Sequence, residues 1–329
     1  MPNHSGPLIA IVGPTAVGKT ALSIALGRRL RGQVVSADSR QIYRRMDIGT
    51  AKATPQEQAL LPHHLLDIVE PDDVLTLAQY QALAYDAIDA ILAQGDLPLL
   101  VGGTGQYVRA VLEGWTIPEI LPDHALRAEL ESVAQAEGIQ ALHSRLEAVD
   151  PVAAARIDAR NVRRVIRALE VHTLTGQPIS CLQRKDPPGY DVLQIGLTME
   201  RGQLYARIDN RIDRMVAEGL VQEVESLLAQ GYDPDMPSMT GLGYRQIVQY
   251  LRGEIDIDEA VRLSRRDTRR FVRQQYNWFR ISNTDIHWYD VGETPLLDAD
   301  GQILDNELVG QVRSFLESSR LTRSSTEDS

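Results

Sequence analysis

The sequence predicts an α/β fold, a parallel sheet core into which a block of helices is inserted. Three observations carry that reading. The runs Leu8-Ile9-Ala10-Ile11-Val12 and "LPLLVGG" from Leu97 are too apolar to have a wet face. Stretches of helical period such as "TLAQYQALAYDAIDAILAQG" separate such runs, and buried strands alternating with helices indicate a parallel sheet covered on both sides. From Trp115 the texture becomes helix after helix, with no strand pattern until "DVLQIGLTM".

Taken in order, Leu8 to Val12 reads as the first strand and "TALSIALGRRL" as the helix behind it. "QVVSAD" is a second strand ending at Asp38, "HHLLDIVEP" a short strand-like run, and the next long helix stops at Gly95 before "LPLLVGG". Four segments follow. Residues 1–114 form the first part of the core and 115–190 a helical insertion bounded by the turn-rich "RKDPPGY". Residues 191–317 return to the core and end in basic helices, and the polar tail 318–329 is expected to be disordered.

Composition narrows the class. No run of 18 apolar residues is present, so no membrane span is expected. The N-terminus lacks the charged and apolar regions of a signal peptide, which points to a cytoplasmic protein. The single Cys181 excludes a disulfide framework and a zinc ribbon of cysteine pairs. Net charge is −11, yet arginines crowd "ARIDARNVRRVIRALEV" and "RLSRRDTRRFVRQQYNWFR". One such helix is ordinarily a solvated face; two in an acidic chain suggest a basic groove.

"GPTAVGKT", Gly13 to Thr20, fits G-x-x-x-x-G-K-[ST] between a strand and a helix, so the core is P-loop NTPase-like. The backbone of Gly13, Pro14, Thr15, Ala16, Val17 and Gly18 surrounds a phosphate site, with Lys19 as point charge. The Thr20 hydroxyl can ligate Mg²⁺. The signal is strong for phosphate and weak for reaction. "LLVGGTG" stands where a magnesium-ordering acid is usual, and the acid comes instead at Asp38 after the second strand. Asp38, Ser39, Gln41 and Thr104 should share the carboxyl edge of the sheet, where ligands bind in open α/β folds. Asp38 is either a turn cap or a carboxylate aimed at substrate.

The blocks "GPTAVGKT", "SADSRQIYRRMDIGTAK", "PHHLLDIVEP", "PLLVGGTGQYVRAVLEG", "RRVIRALEVHTLTGQP", "GLGYRQI" and "TRRFVRQQYNWFR" resemble, in this order, those of bacterial tRNA dimethylallyltransferases. The resemblance runs from Leu8 to Trp288. It implies transfer of a dimethylallyl group from dimethylallyl diphosphate to N6 of the adenosine 3′-adjacent to the anticodon. The P-loop and Mg²⁺ would then hold the diphosphate that leaves. Asp38 corresponds to the base that accepts the N6 proton, Thr104 to a threonine near the reacting centre, and Arg211 to an arginine at the diphosphate, with Arg207 and Arg214 as neighbours. The resemblance places Asp38, Ser39, Arg40, Gln41, Thr104, Arg127, Arg163, Arg164, Arg167, Gly243, Tyr244, Arg245, Arg269, Arg270 and Arg273 against the tRNA anticodon stem-loop. A monomer is expected. Gln275-Tyr276-Asn277 departs from the family's simpler run there, and one cysteine cannot supply the zinc finger of eukaryotic relatives. The rival readings are a small-molecule kinase, a prenyltransferase of free adenine nucleotides, and a non-catalytic RNA-binding protein.

Overall fold

A computed structural model describes residues 4–327 apart from 119, 294 and 299; the side chains of 320–327 are not described. Six strands form one sheet in the order β3-β2-β4-β1-β5-β6, with every pairing parallel. They are β1 (Ser5–Val12), β2 (Gly32–Ser36), β3 (His63–His64), β4 (Leu97–Gly102), β5 (Gly189–Thr198) and β6 (Ile286–Asp290). The centre of the sheet is apolar because helices cover both faces; Leu8 to Val12 and Leu99 to Leu100 are completely buried. The strand-like run from His63 shrinks to two residues, since its partner β2 pairs with it only at Val34 and Val35.

The chain divides into two compact units, residues 1–112 with 188–329, and residues 113–187. In the first, α1 (Lys19–Leu30), α2 (Pro55–Leu60), α3 (Leu77–Ala93) and α4 (Gly105–Glu113) connect the early strands. Thr76 opens α3 with a reciprocal capping box to Gln79, which satisfies two end amides of the helix. The second unit is α5 (His124–Ala136), α6 (Ile139–Val149), α7 (Pro151–Ala154), α8 (Val162–Thr175) and α9 (Ile179–Leu182) around Leu130, Leu142, Leu146, Val165 and Ile166. Its two ends run side by side: Trp115 bridges Lys185 in antiparallel fashion and the Asp186 amide donates to the Gly114 carbonyl at 2.8 Å.

After β5 the first unit continues through α10 (Arg201–Ala217), α11 (Leu220–Ala229), α12 (Tyr244–Leu251), α13 (Ile257–Trp278) and, beyond β6, α14 (Asn306–Glu327). Residues 318–327 continue α14, and only 328 and 329 lie outside the described residues. The helix is started by Asp305, which accepts from the amides of Glu307 and Leu308, and anchored by buried Leu308 and Val312. A helix nucleated this way propagates through polar sequence at little cost. Among the described residues no helix is long and apolar enough to cross a membrane.

Candidate active site

Parallel pairing brings three strand ends together. Val12 pairs with Gly102, and Ser36 with Val101, so the loops after β1, β2 and β4 leave the sheet at one edge. The loop after β1 is the P-loop. Gly18, at φ 112°, takes the left-handed turn into α1 that an L side chain resists. Lys19 Nζ donates to the carbonyls of Gly13 at 3.0 Å and Pro14 at 2.8 Å. Burial lowers its pKa to about 8, against the pull of Asp38 and with the added push of Arg211.

Asp38 follows β2. Its Oδ1 accepts from the Arg40 amide at 2.9 Å, so the carboxylate does cap a turn, and it also faces two cavities. Thr104, after β4, accepts from the Ser39 amide at 3.1 Å and lies 3.4 Å from the Ser39 hydroxyl. The smaller cavity, about 220 Å³, is a cradle at the P-loop, with Lys19, Thr20, Asp38, Glu57 and Arg211 in its wall. The larger, about 400 Å³, has Ile208, Ile212, Met215, Leu220 and Phe271 as its apolar wall. Thr15, Asp38, Thr50, Ala51 and Arg211 line both, so the cradle joins the larger cavity at Asp38 and Arg211.

Arg211 donates weakly to the Thr15 hydroxyl at 3.4 Å, and burial followed by the nearby charge of Arg214 lowers its pKa. Arg207 and Arg214 line an outer hollow with Ala16, Asn210 and Arg211 itself. Arg207 also reaches the P-loop, donating to the Val17 carbonyl at 3.4 Å, and of the three arginines Arg211 lines the smaller cavity. For a divalent cation, no cluster of three or more His, Cys, Asp or Glu exists among the described residues. The donors present are the Thr20 hydroxyl and the carboxylates of Asp38 and Glu57. That set suits Mg²⁺, which commonly uses one or two protein ligands together with substrate phosphates and water.

The loop carrying Asp47 to Lys52 is fixed at both ends. Glu223 of α11 accepts from the amides of Asp47, Ile48 and Gly49 at 2.9, 2.8 and 3.1 Å. Buried Lys52 donates to the Tyr43 carbonyl at 2.8 Å and to Asp67 at 2.6 Å. Gln41 donates to the carbonyls of Thr50 and Ala51, so its amide shapes the site's wall.

Tyr244, which also lines the larger cavity, lies inward. It is 2% exposed, its hydroxyl donates to Glu223 at 2.5 Å, and its ring fills the space a Cβ on Gly49 would need. Burial, then Glu223, raises its pKa. Its ring is core, and what faces solvent in this loop is Arg245, paired with Asp267 at 2.7 Å. Gly243 and Arg245 line the larger cavity, as does Arg270. Arg40 donates to the Pro237 carbonyl at 2.7 Å. Arg269 pairs with Asp209 and lies 5.2 Å over the Tyr205 ring. Arg273 borders a separate hollow with Arg201 and Arg280.

In the helical unit, Arg163 and Arg164 are exposed on α8. Arg127 and Arg167 are partly exposed and held by an ion pair. Both bind the fully buried Glu170, Arg127 through two bonds of 2.8 Å and Arg167 through one. Burial alone would raise the Glu170 carboxyl; these bonds outweigh it and hold its pKa at about 2.

Two residues escaped sequence reasoning. Gln275, 4% exposed on α13, accepts from the Thr15 amide at 2.9 Å and donates to the Gly103 carbonyl at 3.0 Å. Its only trace in the sequence is its place in an unusual run. Glu223 left no signal, because its partners lie 174 to 176 positions away.

With this geometry in view, similarity to known proteins is specific. Residues 41–282 match the IPP transferase family. A tRNA dimethylallyltransferase of Chloroflexus aggregans is 58% identical over 280 residues, 85% of this chain and 95% of that protein. One from Dehalococcoides mccartyi is 47% identical over 310 residues, 94% and 93% of the two chains. The crystal structure of the full-length tRNA isopentenylpyrophosphate transferase of Bacillus halodurans superposes with a TM-score of 0.70 at 43% identity, covering 96% of this chain and 99% of that one. A P-loop opening beside Asp38 onto a cavity with an apolar wall, on a chain this similar along nearly its whole length, leads to one conclusion: the chain belongs to the IPP transferase family.

Proposed function

We propose that the protein transfers a dimethylallyl group from dimethylallyl diphosphate to N6 of the adenosine 3′-adjacent to the anticodon in tRNA, releasing diphosphate. One observation carries the reading. The phosphate cradle opens, at Asp38 and Arg211, into a larger cavity with an apolar wall. A kinase needs a site for a phosphate acceptor at that opening; a prenyl donor needs a place for a hydrocarbon, and Ile208, Ile212, Met215 and Leu220 provide one.

The chemistry follows from the residues. The allylic C–O bond breaks with its electron pair leaving on the diphosphate, and Lys19, Arg211 and the loop amides stabilise the charge that develops. Magnesium bound at Thr20 would supply further neutralisation there. The N6 lone pair forms the C–N bond, and the proton it sheds passes to the Asp38 carboxylate. The amine is a poor nucleophile, so proton removal in step with bond formation is worth about 10²–10⁴ in rate. Thr104, held by Ser39, orients the groups between donor and acceptor. The base must leave its stack to reach this cavity, and the exposed arginines Arg270 and Arg273 of α13 suit the backbone around it.

The test is incubation with unmodified tRNA, Mg²⁺ and dimethylallyl diphosphate, followed by digestion and mass spectrometry of the nucleosides. N6-dimethylallyladenosine at the position beside the anticodon supports the reading. ATP-dependent phosphorylation of a small molecule with no prenyl transfer would overturn it.

A further inference from the structure

Gln275 is a buried side chain that ties the phosphate loop to a different element of the site. Its two amide ends are both engaged, and the partners fix their orientation. A backbone N–H, that of Thr15, must meet the oxygen, and a backbone carbonyl, that of Gly103, must meet the nitrogen. Thr15 sits within the phosphate loop, and Gly103 directly precedes Thr104. The amide thus pins the loop after β1 to the loop after β4.

The helix that carries it matters as much. Ser264, Asp267, Thr268, Phe271 and Gln274 of α13 line the larger cavity, and Gln275 continues that face one turn on. The same helix bears Arg269, Arg270 and Arg273. One rigid element therefore forms part of the acceptor wall and, through a single buried amide, holds the donor's phosphate loop.

We propose that Gln275 is a positioning residue that couples the two substrates: through it, the acceptor-lined helix α13 sets the shape of the phosphate loop. The inference rests on the reading that the larger cavity receives the acceptor. Any displacement of α13 on acceptor binding reaches the Thr15 amide, and by linkage diphosphate binding acts equally on acceptor affinity.

The experiment uses the full chain, inorganic diphosphate with Mg²⁺, and an anticodon stem-loop RNA. Calorimetry on the wild type should give a diphosphate Kd at least about fivefold tighter with saturating RNA than without, a typical size for such coupling. In Gln275→Leu that ratio should fall to about one. The donor KM should rise about tenfold, the loss expected of a buried hydrogen bond, with kcat unchanged. A merely structural defect would lower the active fraction, and so kcat, at an unchanged KM. Gly103→Ala approaches the same clip from the other side, since its methyl would lie 2.3 Å from Gln275 Nε2, and it should reproduce the loss of coupling. A wild-type ratio of one, or a ratio retained in both variants, would overturn the inference. Absence of prenyl transfer by the wild type would overturn instead the reading on which it rests.

Discussion

Raising the pH through 8 should remove the point charge from the phosphate loop and weaken donor binding. Lys19 carries a pKa lowered to about 8 by burial, against its ordinary 10.5. In the empty cradle about nine in ten molecules hold the proton at pH 7 and about one in ten at pH 9. A bound diphosphate restores the ammonium, so binding above pH 8 must draw a proton from solvent. Affinity should therefore fall about 30-fold between pH 7 and 9.5, approaching tenfold per unit at the alkaline end. The assay is calorimetric titration with dimethylallyl diphosphate on the wild type and on Lys19→Met. The ratio of the two affinities cancels the ligand's own ionisation. Near pH 8, titrations in buffers of different ionisation enthalpy should show about half a proton taken up per ligand. The shift also has a sign for stability. Holding Lys19 protonated costs the unliganded fold about 3 kcal/mol. That cost is complete below pH 8 and relieved as pH rises towards 10.5, where the unfolded chain binds the additional proton. An affinity ratio that stays flat from pH 7 to 9.5 would refute the reasoning, since a charge buried this way cannot be insensitive to its own titration.

Asp38→Asn should lower the rate of transfer by about 10²–10⁴ while both substrates bind within a fewfold of the wild type, measured by single-turnover kinetics and calorimetry. Glu170 contributes stability to the helical unit that is present above about pH 4.5 and lost as pH falls towards 2. Thermal melts of the wild type and Glu170→Gln should differ by about 1–3 kcal/mol at pH 7, the lower end because Arg127 is partly exposed, and converge near pH 2. Arg127→Ala should lower the melting temperature, whereas Arg163→Ala with Arg164→Ala should leave it unchanged and weaken RNA binding in filter assays. Removing Arg270 and Arg273 together should flatten the salt dependence of RNA affinity, by about one unit of slope for each phosphate no longer neutralised.

How far the sequence could be read depended on how locally each feature is encoded. The P-loop, Asp38 and Thr104 were legible because each directly follows a strand, and parallel pairing puts consecutive strand ends on one edge. The ion pairs of Arg127 and Arg167 were not legible because their partner, Glu170, is fully buried and 43 residues from the first of them. An arginine in a basic run looks the same whether it meets solvent or a buried carboxylate. "GLGYRQI" looks like a loop reaching outward, yet the Tyr244 ring turns inward over a glycine nearly two hundred positions earlier. The larger cavity had no compositional mark at all, since its wall is assembled from short pieces of the Asp38 loop, the Thr50 loop, α10, the loop before α12, and α13.

The paired ends of the helical unit have a practical corollary. Because residues 114–116 and 184–186 lie antiparallel and hydrogen-bonded, the chain departs and comes back through a single doorway. A segment grafted between those two short stretches needs only matching end spacing, whatever its length or interior. That makes the position a natural splice point for exchanging this block between related proteins, or for trimming it to a tight reverse turn, without re-threading the sheet.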